Sequence, residues 1–210
     1  MKLTTIVFDA DGVLQESTEP FIDLLRKQLG VPEAEADALI ERIFEAERPC
    51  MLGQADFPTE LRRVLREAGR EISYERVVLS WRSIQVDQPS LELVLALRRG
   101  GFACYLASNQ HSYRARYMAH DLGYDRYFDR TFFSCEFGCL KPEQRYFERL
   151  IEEIGRDPAE ILFIDDGPKN VAAASALGIE AHRFPVPCPG PRAEVLREIL
   201  HEHGVHVSSE

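Results

Sequence analysis

Residues 3–8, "LTTIVF", form a continuously apolar, β-branched run with no helical spacing. Such a run reads as a strand buried on both faces, the kind that parallel sheets use. The pattern then changes. From about 16 to 88 apolar residues recur at helical spacing and no convincing strand appears. "EPFIDLLRKQLG" places Phe21, Leu24 and Leu25 on one face and stops at Gly30, a good C-cap. "AEADALIERIFEAE" follows, then "FPTELRRVLREAG" ending at Gly69, then "SYERVVLSWRSI" with Ser73 as its expected N-cap.

After Pro89 strands and helices alternate. "SLELVLALRRG" reads as a helix closed by Gly100, "FACYLAS" (102–108) as a second buried strand and "HSYRARYMAHDLG" as a helix. "RTFFS" reads as a short strand, "PEQRYFERLIEEIG" as a helix and "EILFI" (160–164) as another strong strand. "PKNVAAASALG" has proline at its start and Gly178 at its end, as helices prefer. "EAHRF" is a weaker last strand and "PRAEVLREILHEHG" the closing helix. This alternation predicts an α/β core with a parallel sheet and helices on both faces. The expected division is a core of residues 1–15 and 89–210 with an inserted α-helical cap, 16–88, as a natural lid.

Composition narrows the class. The 210 residues are 45% hydrophobic and 29% charged, with formal net charge −10, ordinary for a globular chain. No basic patch points to nucleic acid. The arginines of "ELRRVLREAGRE" alternate with glutamates at helical spacing and read as a solvated face. No window approaches a membrane span, and the N-terminus does not read as a signal peptide. Five cysteines without a CxxC pair suggest a reduced, cytoplasmic protein. Cys135 and Cys139 lack a second ligand pair for zinc.

The chemistry follows from what ends each strand, because open α/β sheets bind ligands beyond the carboxyl ends of their strands. Asp9 and Asp11 follow the first strand, Ser108 and Asn109 the second, Lys141 the "TFFS" strand after a short loop, and Asp165 and Asp166 the "EILFI" strand. Two carboxylates so close repel each other, and burial disfavours both charges. A hard cation offsets this, and Mg2+ suits a few carboxylates plus waters and substrate phosphate. Ser108, Asn109 and Lys141 supply a hydroxyl, an amide and a fixed positive charge for phosphate oxygens. One aspartate can attack phosphorus while the second handles protons.

"DADGVL", "SNQ", the lysine of "LKPE" and "IDDGPKN" resemble, in order, the four motifs of the haloacid dehalogenase (HAD) superfamily, over residues 3 to about 184. The helical block resembles the cap of cap-type-one members. "MLGQADFPTEL", "ASNQ" and "LKPEQRYFERLIEEIG" look closest to the branch of sugar-phosphate phosphatases and the N-terminal phosphatase domain of soluble epoxide hydrolases. The resemblance implies a Rossmann-like core, Asp9 as nucleophile and Asp11 as general acid/base. It implies Mg2+ held by Asp9, the Asp11 carbonyl and Asp166, with Asp165 beside the metal. Ser108, Asn109 and Lys141 would hold the phosphoryl group. Asn170 stands where many relatives carry another acid, as an outer contact or only a helix-start residue.

Further candidates are weaker. His111 is a substrate contact or a first-turn helix residue. Arg48 and Gln54, near Gly53 in an expected cap loop, are candidate substrate contacts or ordinary loop residues. Trp81 reads as core rather than substrate platform, and His201, His203 and His206 as a solvated C-terminus rather than a metal tract.

The expected function is Mg2+-dependent hydrolysis of a small phosphorylated metabolite, with a sugar phosphate favoured, by a monomer or homodimer. A phosphomutase would need a second phosphate site, and no basic cluster in the cap offers one. A haloacid dehalogenase would lack Asp11. A catalytically silent binding module would usually have lost a motif residue.

Overall fold

The computed structural model describes residues 2–206; residue 1 and residues 207–210, the extremes of the expected core, lie outside. Five strands form one sheet: β1 (Thr5–Phe8), β4 (Ala103–Ser108), β5 (Arg130–Phe133), β6 (Ile161–Asp165) and β7 (Glu180–Arg183), in the order β5-β4-β1-β6-β7. Every neighbouring pair is parallel, so all carboxyl ends share one edge. β1 lies at the centre and is buried throughout. Its burial on both faces explains why the sequence there is apolar without alternation.

Four helices follow the first strand: α1 (Phe21–Leu29), α2 (Glu33–Met51), α3 (Phe57–Glu67) and α4 (Tyr74–Val78). Gly30 closes α1 in the left-handed conformation. The Ser73 hydroxyl accepts the Arg76 N–H at 3.3 Å, so the expected cap of α4 is present. These helices bury a cluster of their own, running from Leu25 and Leu29 through Ile43 and Phe57 to Trp81.

One expectation for this region fails. Residues 16–88 contribute to a two-stranded antiparallel ribbon, β2 (Gln15–Ser17) with β3 (Ile84–Val86), where the chain enters and leaves the helical block. The strands have three residues each and half-polar sequences, and they pair across some seventy intervening positions. No local pattern announces such a ribbon.

The core helices are α5 (Gln88–Arg99), α6 (Ser112–Arg116), α7 (Tyr124–Tyr127), α8 (Ser134–Phe137), α9 (Gln144–Ile154), α10 (Pro168–Ser175) and α11 (Arg192–Glu202). The single helix expected over "HSYRARYMAHDLG" is α6 followed by a wider π turn, Tyr117–Asp121. Two apolar clusters fill the core. One joins Phe8, Leu106 and Ile164 to Val94 and Leu196, and the other joins Val7 and Phe163 to Phe147 and Ala174. Burial at about 25 cal/mol per Å² holds the sheet rigid, and with it the strand ends.

His203 is not the free, solvated side chain expected. It lies 3.0 Å from the ring of His182 on β7 and 3.2 Å from Glu180, tying the end of α11 to the sheet. None of the described helices is long and apolar enough to cross a membrane.

Candidate active site

Parallel strands bring the polar strand ends to one place, and their contacts are specific. Lys141 is only 4% exposed. Its ammonium donates to the Ala107 carbonyl at 2.7 Å and to Asp165 Oδ2 at 2.6 Å, and lies 2.9 Å from Asp9 Oδ1. Burial opposes its charge, but the two carboxylates more than offset this, so its pKa rises and it stays protonated. Asp165 is fully buried. Its Oδ1 accepts from the Gly167 N–H at 2.7 Å and the Asn170 amide at 2.8 Å. Asn170 therefore contacts Asp165 as well as standing in the first turn of α10.

Asp9 is nearly buried, and burial pushes its carboxyl up to about 7; Lys141 opposes this, while Asp165 and Asp11 add to it. Burial also raises Asp166, helped by the Asp165 charge. Oxygens of Asp9, Asp165 and Asp166 all lie within 4.8 Å of one another. Among the described residues this is the sole group of three or more metal-type ligands so arranged. Raised carboxyls packed this tightly fit a divalent cation, which removes the repulsion. Both Asp165 oxygens already accept hydrogen bonds, which suits a place beside the cation, whereas Asp9 Oδ2 has no protein donor among the described residues.

Gly12 is required here. Its φ is +84°, and a Cβ would stand 2.6 Å from Asp166 Oδ2. Arg192, at the start of α11, donates to the Gly12 carbonyl and to Glu16, fixing this turn from the far end of the chain.

Asp11 is held by four donor contacts from three residues. Arg114 grips it bidentately, Nη1 to Oδ2 at 2.6 Å and Nη2 to Oδ1 at 2.8 Å. Gln15 donates to Oδ1 at 2.9 Å and Gln110 to Oδ2 at 2.8 Å. Burial alone raises this carboxyl, but the guanidinium overcomes it and the net pKa is lowered. Arg114 Nε also donates to the Trp81 carbonyl, so the clamp reaches the end of the helical block. Sequence reading missed Arg114, Gln15 and Gln110. The available signal was weak: "SNQ" already contains Gln110, and Arg114 stands one turn of helix beyond.

The remaining candidates are redistributed. Ser108 is buried and its hydroxyl lies 3.0 Å from the Gln110 amide. Asn109 needs correction as a free amide donor for phosphate. Its Oδ1 accepts the Lys141 N–H at 2.9 Å and its Nδ2 donates to the Lys141 carbonyl at 2.8 Å. A planar amide matched to the N–H and C=O of one residue in this way positions Lys141. His111 is the N-cap of α6, its Nδ1 accepting the Arg114 N–H. Its ring stacks on Phe57 with centroids 4.0 Å apart, so it belongs to the contact with the helical block. Burial lowers its pKa.

A cavity of about 360 Å³ opens between the Asp11–Gly12 turn and the helical block. Arg48 and Gln54 do not line it; Glu47 and Met51 do. Arg48 sits on α2 rather than in a loop and, like Gln54, is exposed. The helical phase that turns Glu47 and Met51 inward, four residues apart, turns Arg48 out. Trp81 is core, as expected, and also forms a wall of the cavity. The block is pinned over the sheet edge: the Ser134 hydroxyl donates to the Met51 carbonyl at 2.8 Å, and a Cβ on Gly53 would collide with the Cys135 carbonyl oxygen.

Residues 3–178 match the model of a family described as haloacid dehalogenase-like hydrolase. The chain belongs to that family. It is 26% identical over 196 residues to a D-ribitol-5-phosphate phosphatase of Bacteroides thetaiotaomicron, covering 85% of this chain and 90% of that protein. A HAD family enzyme from the same species, solved in complex with magnesium and inorganic phosphate, superposes with TM-score 0.72 at 26% identity, over 87% of this chain and 94% of that one. A predicted HAD-like hydrolase from Porphyromonas gingivalis shares the fold, with TM-score 0.77 at 23% identity over 96% and 98% of the two chains. This protein is thus a HAD-like hydrolase with a Rossmann-like α/β core.

Proposed function

We propose that this HAD-like hydrolase is a Mg2+-dependent phosphomonoesterase that cleaves a small phosphorylated metabolite, a sugar or polyol phosphate, through an aspartyl-phosphate on Asp9. The observation that carries the reading is the buried cluster of Asp9, Asp165 and Asp166 with the Lys141 ammonium bridging Asp9 and Asp165. The phosphatase relative and the magnesium and phosphate complex of a structural neighbour support it.

In this reading Asp9, the Asp11 carbonyl and Asp166 would hold Mg2+, with Asp165 beside it. A cation held there would supply positive charge to the transferring phosphoryl group and keep the carboxylates ionised. Asp9 attacks phosphorus and the ester P–O bond breaks. Asp11, ionised in the Arg114 clamp, takes a proton from the water that displaces phosphate from Asp9, and giving one to the leaving oxygen requires that clamp to open. Lys141 offsets negative charge beside Asp9, and Ser108 offers its hydroxyl to a phosphoryl oxygen. Asn109 fixes the Lys141 backbone, and Arg114 positions Asp11. The helical block, residues 16–88, acts as the cap that excludes bulk water.

Two alternatives lose ground to specific observations. A mutase needs a second phosphate subsite, yet the single cation lining the cavity among the described residues, Arg114, is committed to Asp11. A dehalogenase has no use for the four-donor cage around Asp11.

Phosphate release from a panel of sugar phosphates, polyol phosphates, nucleotides and p-nitrophenyl phosphate, with Mg2+ and with a chelator, tests the proposal. Turnover with Mg2+ and its loss in chelator is expected. Folded, Mg2+-binding protein that hydrolyses none of these esters would overturn the reading.

A further inference from the structure

We propose that Tyr124 is a positioning residue for proton transfer at Asp11, acting through the Gln15 side chain. This rests on the phosphomonoesterase reading and deepens it by naming the hold on Asp11 that does not depend on Arg114.

Tyr124, on α7, and Gln15, at the start of β2, are both fully buried. The Tyr124 hydroxyl donates to Gln15 Oε1 at 2.7 Å, and Gln15 Nε2 donates to Asp11 Oδ1 at 2.9 Å. The chemistry of the groups fixes the direction of this chain. An ionised carboxylate only accepts, so Gln15 must turn its NH2 toward Asp11 and its carbonyl oxygen toward Tyr124, where a donor is required. The phenol is that donor. Burial, with the Asp11 charge, pushes its pKa up, so it keeps its proton.

Both ends of the chain are fixed. Tyr124 packs in the apolar cluster with Phe8 and Met118, and its ring meets Phe128 edge-on with centroids 6.0 Å apart. The Gln15 backbone donates to the Ala10 carbonyl at 3.1 Å and accepts the Gly12 N–H at 2.8 Å, closing the turn that carries Asp11. Without the phenol hydroxyl, Gln15 Oε1 would be a buried acceptor with no partner, and the amide would leave its place to find one.

The other two residues that hold Asp11 share a dependence. Arg114 grips the carboxylate with both Nη atoms and gives Nε to the Trp81 carbonyl at 3.1 Å, so its pose is tied to the helical block. Gln110 donates to Asp11 Oδ2, but its own Oε1 is held by Arg114 Nη1 at 3.0 Å. When the clamp opens for Asp11 to protonate the leaving oxygen, both of these holds are disturbed. The arm through Gln15 ends in the core instead. It keeps Oδ1 in place while the proton passes from the Asp11 carboxyl to the ester oxygen and the P–O bond breaks.

Tyr124→Phe keeps the ring and removes only the hydroxyl. The test measures kcat/KM, which covers the steps through departure of the leaving group, with p-nitrophenyl, phenyl and pentitol phosphates and Mg2+. p-Nitrophenolate departs without a proton, whereas a pentitol alkoxide needs one. The loss in the variant should grow along that series, from less than about threefold to about tenfold or more, with inhibition by inorganic phosphate unchanged. A merely structural defect would lower all three values alike. Gln15→Leu cuts the same arm and should show the same graded loss if Tyr124→Phe does not fold. No phosphate from any ester in the wild type overturns the phosphatase reading and this inference with it. With an active wild type, a loss equal across the three esters, or no loss, overturns the inference alone.

Discussion

Across the cavity, the sheet edge and the helical block present two differently finished surfaces. On the sheet edge the charged groups are bound to one another or to an amide: Lys141 to Asp9 and Asp165, Asp11 to Arg114, Asp165 to Asn170. On the block side one oxygen of Glu47 has no protein donor among the described residues. The first surface is pre-organised for one reaction, because its geometry is set by strand ends in a rigid sheet. In the proposed function the second would select among leaving groups.

If the edge is the pre-organised side, damage to it is costly even without substrate. Lys141→Ala strands two buried carboxylates, and breaking such a pair costs about 3–5 kcal/mol. Denaturant unfolding of the metal-free variant should show that loss, together with loss of turnover. Stability within about 1 kcal/mol of wild type, on the order of a surface pair, would show that the edge is not the tense network described.

Arg114 joins the two surfaces. Arg114→Ala should cut kcat by roughly 100-fold through misplacement of Asp11, with a smaller change in KM. Steady-state kinetics on the best ester would show it. An effect confined to KM would place Arg114 with substrate binding instead.

Gly53→Ala probes the block's seat. A Cβ there meets the Cys135 carbonyl, and the residue has φ +70°. The strain should cost about 1–3 kcal/mol and raise KM as the block lifts from the edge. A thermal melt and a KM both unchanged would mean that this contact does not hold the block down.

The smallest effect concerns pH. Asp9 lies near 7 in the metal-free protein because of its burial. Below that pH the group is protonated, and a cation must displace the proton to bind. Mg2+ affinity should therefore fall by up to about tenfold per unit as pH drops below about 7, and level off above it. The rise in melting temperature on adding Mg2+, measured from about pH 6 to about pH 8, reports this directly. A flat profile would contradict the assignment of Asp9 to the cation.

The same contrast explains what the chain disclosed before folding. Asp9, Ser108 and Asp165 were legible because each ends or directly follows an apolar strand, and parallel pairing alone sends them to one edge; Lys141 stands eight residues past β5, beyond α8, and reaches the same edge through that longer connection. Arg114 was not legible, because its partner Asp11 lies 103 positions away and an arginine one turn into a helix looks like any surface residue. Glu47 was displaced by one position to Arg48, since the phase of a 19-residue amphipathic helix is fixed by docking against the core and not by its own spacing. Asn109 was located correctly but given too free a role, because its match to the Lys141 peptide depends on two loops meeting. The ribbon of β2 and β3 went unread for a similar reason, as its stability lies wholly in a non-local pairing.

The proposed mechanism stands on Asp9 carrying the phosphoryl group. Acid quenching during turnover of a radiolabelled phosphate ester, followed by peptide mapping, tests this step, with Asp9→Asn in parallel. Label is expected on the peptide containing Asp9 in the wild type, and neither label nor turnover in the variant. Turnover by Asp9→Asn at the wild-type rate, or label on a peptide that lacks residue 9, would contradict it.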